Sequence, residues 1–257
     1  MKELLIIDLG LVEYSAAWEL QRRVAAARKA GAIPDVLLLC QHPHVITLGR
    51  SGKISNLRAP ESLLRQMGVS FFETNRGGDI TYHGPGQLVG YPILNLGEIR
   101  RDVAWYVRSV EEAMIRATAE FGMASRRVAG RTGVWVDRPK REVQEVKDVE
   151  EIQEIQEEEK LGAIGVHLSR WVTTHGFAYN VSTDLRYFDL IVPCGIAGKR
   201  ATSLEKLLGR HVEMSEVAPR ITAQLAEMLD LSPKALSRNA FDSVLTATES
   251  HSIGTSA

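Results

Sequence analysis

Apolar periodicity along the 257-residue chain switches between two and three-to-four in no regular alternation, and this irregular order is what most limits the fold. Residues 4–9, 36–40, 45–48, 69–73, 88–94, 134–136, 161–168 and 173–181 read as strands. Ala17, Leu20, Val24 and Ala27 recur at helical spacing up to Gly31, as do Val103, Val107, Val110, Met114 and Ala117. A short helix follows Pro60. A last helix carries Val217, Ile221, Leu225 and Met228, with Pro219 tolerable only in its first turn. There is no steady βαβ alternation, no dinucleotide-type glycine fingerprint and no Walker loop. The expected class is therefore α+β, with mixed or antiparallel sheets flanked by helices. Hydrophobic residues make up 44% of the chain, enough to bury a real core. Residues 1–231 are read as one domain. Residues 232–257, rich in Ser, Thr and Ala from about Arg238 without a period, are read as a partly disordered tail.

Residues 142–156 run as five triplets, EVQ, EVK, DVE, EIQ and EIQ, placing Val or Ile at 143, 146, 149, 152 and 155. A strict period of three slips by about 60° per step on a helix, so these side chains form no single buried stripe. The segment from about 138 to 159 is expected to be a charged low-complexity insertion between strands, either a solvated helix or a mobile loop. A partner-binding helix is the sharper alternative. The formal net charge of -1 gives no general attraction to nucleic acid or an anionic membrane. No stretch approaches the ~20 apolar residues of a membrane helix, and the N-terminus lacks a signal h-region. With two cysteines in unlike contexts, a reducing, cytoplasmic location is expected.

Cys40 ends the apolar run of residues 36–39 and reads as an inert buried thiol, whereas Cys194 lies between Pro193 and Gly195 on a constrained loop. A thiol so placed is a candidate nucleophile, and the sequence around it alone leaves an ordinary turn residue equally open. The stretch RGGDITYHGPGQ at 76–87 packs four glycines and a proline around Thr81, Tyr82 and His83, allowing backbone to approach a ligand closely. Lys160 opens the small-residue strand KLGAIG. It is either a solvated strand start or, beside a thiol, a base or thiolate partner. The segment HGFAYN at 175–180 puts another glycine in a strand. His42 and His44 form the one close histidine pair and lack further ligands at metal spacing, so no metal site is expected.

These three segments, with PCGI at 193–196 as a fourth, occur in the order found in the lipoyl(octanoyl) transferases of lipoate biosynthesis, a family the chain resembles over roughly residues 3–230. The resemblance implies a fold like that of biotin and lipoate protein ligases. It implies that Cys194 attacks the thioester of octanoyl-acyl carrier protein to form an acyl-enzyme, which the ε-amine of a lipoyl-domain lysine then attacks to form an amide. Lys160 is then the thiol's partner, lowering its pKa and relaying protons, and His83 orients that lysine or the carbonyl. Arg76, Gly77, Gly78, Asp79, Ile80, Thr81, Tyr82 and His83, with Ala163, Ile164, Gly165, Gly176, Phe177 and Ala178, match the acyl-binding segments. No cofactor is implied beyond the phosphopantetheine carried by the donor. The implied partners are acyl carrier protein, the lipoyl domains of 2-oxoacid dehydrogenase complexes and the glycine cleavage H protein. Arg22, Arg23, Arg28, Lys199 and Arg200 are candidates for a basic face toward these acidic carriers.

Two features depart from the family pattern: the insertion immediately before Lys160, and the charge of Asp79 within the glycine-rich stretch. Three other readings remain. An ATP-dependent lipoate or biotin protein ligase shares the fold but has no need of Cys194. A transferase moving octanoyl between lipoyl-bearing proteins shares the thioester chemistry. A silent carrier-domain binder would have no use for Cys194 and Lys160.

Overall fold

The computed structural model describes residues 1–146, 149–192 and 200–254, with the backbone alone for 139–146, 149–156 and 250–254. In chain order the elements are β1 (Lys2–Leu11), α1 (Tyr14–Lys29), β2 (Asp35–Gln41), β3 (Val45–Leu48), α2 (Glu61–Gln66), β4 (Ser70–Glu73), β5 (Ile80–His83), β6 (Gln87–Ile93), α3 (Leu96–Ile99) and α4 (Val103–Ala119). They continue as β7 (Arg126–Val128), β8 (Arg131–Val146), β9 (Val149–Ser169), β10 (Val172–Asn180), β11 (Arg200–Ala201), α5 (Leu204–Leu208), α6 (Met214–Leu229), β12 (Leu231–Ala235) and α7 (Arg238–Gly254). The large sheet runs β12-β1-β2-β6-β10-β9-β8-β7, with β11 beside β9. β1 pairs in parallel with β2 and β12, whereas β2, β6, β10, β9 and β8 pair antiparallel in turn. The sheet is mixed and the class is α+β, as the irregular order of elements implies.

β2 shows why the sheet carries helices on both faces. Its uninterrupted apolar run has period two in space: Leu37 and Leu39 join one core, Val36, Leu38 and Cys40 the other. The first core receives Val110 and Met114 from α4 and Val217, Ile221 and Leu225 from α6. The second receives Leu20 and Val24 from α1 and Phe241 and Leu245 from α7. A small sheet, β4-β3-β5, closes over its own core of Ile46, Ile80, Tyr82, Leu190 and Ile191.

Three expectations are corrected. The supposed tail is built into the fold: β12 pairs with β1 from Lys2↔Leu231 to Ile6↔Ala235, and α7 buries Phe241 and Leu245. The triplet segment is neither helix nor loop in its described backbone but the outer part of the β8–β9 hairpin. Its register pairs Val146 with Val149 and Val143 with Ile152, because the triplet pattern is symmetric about the hairpin end and sets apolar residues opposite one another. Pro219 is the sixth residue of α6, beyond the first turn. The buried stripe of Val217, Ile221, Leu225 and Leu229 holds the helix despite the missing N–H.

Candidate active site

The glycine-rich stretch is anchored from within by Arg76. Its guanidinium turns inward, donating from Nη2 to the Thr47 carbonyl (2.6 Å) and to Thr47 Oγ1 (2.9 Å), and from Nη1 to the Gly77 carbonyl (3.0 Å). The Gly77 N–H donates to the Val166 carbonyl at 2.9 Å, docking the stretch on β9. Gly165 permits that approach, since a Cβ there would lie 2.7 Å from the Gly77 carbonyl oxygen. After the glycines the chain enters β5, whose Thr81 pairs with Thr47 and whose His83 pairs with Val45. Asp79 is absorbed locally, with Oδ2 accepting from Asn56 Nδ2 at 2.7 Å and Oδ1 from the Ile80 N–H at 2.6 Å.

Lys160 owes its direction to a β-bulge. Val134 pairs with Gly162 and Trp135 with Lys160, so Leu161 is an extra residue in β9. Beyond the bulge, even-numbered positions face the helix side: a Cβ at Gly162 would meet Met114 Sδ at 2.9 Å, and Val166 and Leu168 pack on the same core. Ala163 and Gly165 face the opposite cavity. Without the extra residue Lys160 would point into the helix-side core. With it, Leu161 is fully buried in that core and Lys160 lines the cavity, its Nζ 5.1 Å from the centre of the Trp135 ring. Gly133 gives the lysine room, because a Cβ there would lie 2.7 Å from Lys160 Cε.

The cavity has a volume of about 370 Å³, toward the lower end of the roughly 300–1,000 Å³ usual for small-molecule sites. It brings together Arg76, Gly78, Asp79, Ile80, Thr81 and His83 from the first segment, Lys160, Ala163, Ile164 and Gly165 from the second, and Gly176, Phe177 and Ala178 from the third. Two expected residues do not line it. Gly77 is spent on its bond to β9, and Tyr82 points to the other face of β5, where its hydroxyl meets His44 Nδ1 at 2.7 Å and its ring stacks on Tyr187. Cys194 lies outside the described residues, with Lys199. The chain up to that segment ends at Val192, whose N–H donates to the Asn56 carbonyl, and resumes with Arg200 and Ala201 paired to Glu159 and Lys160.

Tyr14 and Tyr91, which no motif marks, also line the cavity, together with Trp135 and with His175, the first residue of HGFAYN. They come from α1, β6, β8 and β10, and only sheet order makes them neighbours; the local signals were confined to Trp135, in the short strand 134–136, and His175, in HGFAYN. The polar part of the wall is uncharged at its histidines. Burial, helped by His42 and Arg76, lowers His83 to about 3, and burial with Arg76 and His167 lowers His175 to about 3. Burial raises the Tyr14 phenol to about 12 and the Cys40 thiol far above its usual range. Of the described members of the candidate basic face, Arg200 is exposed, and the three on α1 are engaged with carboxylates. Arg28 is buried against Asp35 (2.7 Å) and Glu98 (3.0 Å), Arg23 pairs with Glu249 (2.8 Å) and Arg22 with Glu19 (3.2 Å).

The fold resembles that of a bi-partite lipoate protein ligase from Thermoplasma acidophilum, with a TM-score of 0.68 over 96% of this chain and 92% of that one at 14% identity. A lipoate-protein ligase A bound with ATP gives a TM-score of 0.63 over 95% of this chain and 92% of that one at 15% identity. In sequence, the chain is 48% identical over 230 residues to an octanoyltransferase of Solibacter usitatus, covering 90% of this chain and 94% of the relative. It is 51% identical over 207 residues to an octanoyltransferase of Acidobacterium capsulatum, covering 78% of each. The model of the lipoyl protein ligase A/B catalytic domain matches residues 13–226, and the chain belongs to that family.

Proposed function

We propose that this protein is an acyltransferase that moves an octanoyl group onto lipoyl domains in lipoate biosynthesis. The reading is supported by the octanoyltransferase names of relatives at 44–51% identity over most of the chain. The single structural observation that carries it is the cavity in which Lys160, turned inward by the bulge, meets the small-residue walls of β9 and β10. An eight-carbon chain needs such an apolar slot.

In the proposed chemistry the donor is octanoyl-acyl carrier protein. The Cys194 thiolate attacks the thioester carbonyl, the carrier's pantetheine sulfur leaves and takes a proton, and an octanoyl thioester forms on Cys194. The amine of a lipoyl-domain lysine then attacks that thioester, an amide forms, and the Cys194 sulfur leaves while the amine gives up a proton. Lys160 as an ammonium favours the thiolate in the first step and, once neutral, receives the proton of the second. Both half-reactions pass through an oxyanion, which backbone N–H groups stabilise. The donor is already activated, so the reaction needs neither ATP nor a metal. The acceptors are lipoyl domains of 2-oxoacid dehydrogenase complexes and the glycine cleavage H protein, and the site of action is the cytoplasm. Among the described residues no helix is long and apolar enough to cross a membrane.

The test is intact-mass analysis after mixing the protein with octanoyl-acyl carrier protein without ATP, followed by an apo lipoyl domain. The expected result is an octanoyl adduct that moves to the lipoyl domain, is abolished by Cys194→Ser and survives Cys40→Ser. Modification that requires ATP and free octanoate or lipoate, with no adduct, would make the chain a ligase instead.

A further inference from the structure

A buried chain of side-chain hydrogen bonds connects the strand beside Lys160 to the glycine-rich stretch, and none of the proposed chemistry uses it. It begins at Thr202, whose N–H donates to the Lys160 carbonyl at 2.9 Å. The Thr202 carbonyl accepts from Asn180 Nδ2 at 2.9 Å. Asn180 Oδ1 accepts from Gln87 Nε2 at 2.9 Å, across a directly paired position of β10 and β6. Gln87 Nε2 also donates to the Tyr82 carbonyl at 3.2 Å, and Gln87 Oε1 lies 2.7 Å from His83 Nδ1. His83 Nε2 in turn lies 3.5 Å from Thr47 Oγ1, which already accepts from Arg76. Thr202, Asn180, Gln87, His83, Thr47 and Arg76 are all buried.

The direction of every bond follows from two backbone carbonyls. A carbonyl only accepts, so the Thr202 carbonyl fixes which end of the Asn180 amide is nitrogen, and the Tyr82 carbonyl does the same for Gln87. Gln87 therefore presents oxygen to the histidine, and His83 Nδ1 must carry a hydrogen. In the neutral ring that leaves Nε2 as a lone pair. Thr47 Oγ1, holding two N–H groups of Arg76, has its own hydrogen to turn toward Nε2.

We propose that Gln87 and Asn180 are positioning residues for octanoyl transfer: they hold His83 in the Nδ1–H form, with the Nε2 lone pair turned to Thr47, so that the ring adds no charge to the cavity wall and Arg76 stays folded under the glycine-rich stretch. The groups facing His83 agree with a neutral ring. They are Tyr14 from α1, stacked at 6.2 Å, His42 after β2, at 6.0 Å, Arg76, and His175 from β10, none of them a carboxylate. A ring protonated twice would sit among other nitrogen bases and a guanidinium. The proposal rests on the octanoyl-transfer reading for its effect on rate, but not for the state of the ring, which is read without substrate.

The experiment is a long-range ¹H–¹⁵N spectrum of the ¹⁵N-labelled full chain, with the His83 signals assigned by their loss in His83→Gln, alongside transfer rates from octanoyl-acyl carrier protein. In the wild type the ring should show Nδ1–H and an unprotonated Nε2 from pH 8 to pH 5. Gln87→Met removes the acceptor without adding charge, so a population with the hydrogen on Nε2 should appear and the transfer rate should drop about tenfold at every pH. Gln87→Glu keeps an oxygen acceptor toward the ring, replaces the Nε2 donor to the Tyr82 carbonyl and Asn180 Oδ1 with a second oxygen, and adds a negative charge. The ring should then be doubly protonated near neutral pH, with a transfer rate that recovers as pH rises, a pH dependence that a merely structural defect would not produce. A wild-type ring carrying its hydrogen on Nε2, or Gln87→Met with the wild-type ring state and rate, would overturn the proposal. A wild-type ring in the expected form in a protein that transfers no octanoyl would instead overturn the functional reading, and with it the assigned role in that reaction.

Discussion

Lys160 faces the cavity only because one residue, Leu161, is extra in its strand, and Gly165 lies against the glycine-rich stretch only because it has no side chain. The second fact gives a direct test. In Gly165→Ala the new methyl would lie 2.7 Å from the Gly77 carbonyl oxygen and 3.1 Å from Arg76 Cδ, so the stretch must lift away from β9 by some tenths of an ångström or more. Gly165 pairs with Gly176 in the middle of the sheet, where the substitution leaves the ladder intact. The expected outcome is a transfer rate reduced by about 10²-fold at most, the size of a small misplacement near reacting groups, with an unchanged far-ultraviolet spectrum. Comparing kcat/KM for wild type and variant checks it; equal values would mean the contact between the stretch and β9 is dispensable. At this scale the sequence was most informative where residue type is itself unusual. Glycines in a run, a lone lysine entering a small-residue strand and a thiol after proline stand out without neighbours. The bulge was invisible, since it is a property of how β8 and β9 pair, and Tyr14 and Tyr91 carried no local sign that they share a wall.

Among the elements, the ones read correctly are those with a long, strongly periodic face, such as α1 and α4, or an uninterrupted apolar run, such as β2. The terminal helix α7 was missed because its core contact is a single i,i+4 pair, Phe241 and Leu245, within a Ser- and Thr-rich stretch. β5 was hidden because four strand residues lie between glycines that argue for a loop. The outer hairpin was misread because a period of three suits neither a helix nor a lone strand; it makes sense only when two strands fold back and align their apolar residues. α7 is nevertheless structural: Phe241 is fully buried against α1 and β1 in the second core. Phe241→Ala should cost about 3–5 kcal/mol, the usual loss for emptying a buried aromatic site. Urea denaturation reads it as a lower midpoint at unchanged slope, and an unchanged midpoint would show that residues 238–254 add nothing to the fold's stability.

On the scale of the whole molecule, the cavity lies where the small sheet meets the large one, and that junction collects buried histidines from three separate stretches of chain. His42 follows β2, His83 ends β5 and His175 lies in β10, and burial holds them at about 4, 3 and 3. In the unfolded chain each titrates near 6.5. Above that value both states carry neutral rings and the three make no pH-dependent contribution. Below it the unfolded chain takes up protons that the native state refuses, so stability falls as pH falls, by roughly 1.4 kcal/mol per pH unit for each ring. Three rings together give a slope of about 4 kcal/mol per unit between roughly pH 6 and pH 5, before most carboxylates titrate. Urea unfolding at pH 7.5, 6.5, 5.5 and 5.0 measures it: stability should be level over the first interval and then decline steeply. His83→Gln, which removes one of the three proton acceptors, should lessen the decline by about a third. A level curve down to pH 5 would mean that the rings are charged in the native protein, and the neutral state of the buried histidines beside the acyl slot would have to be given up.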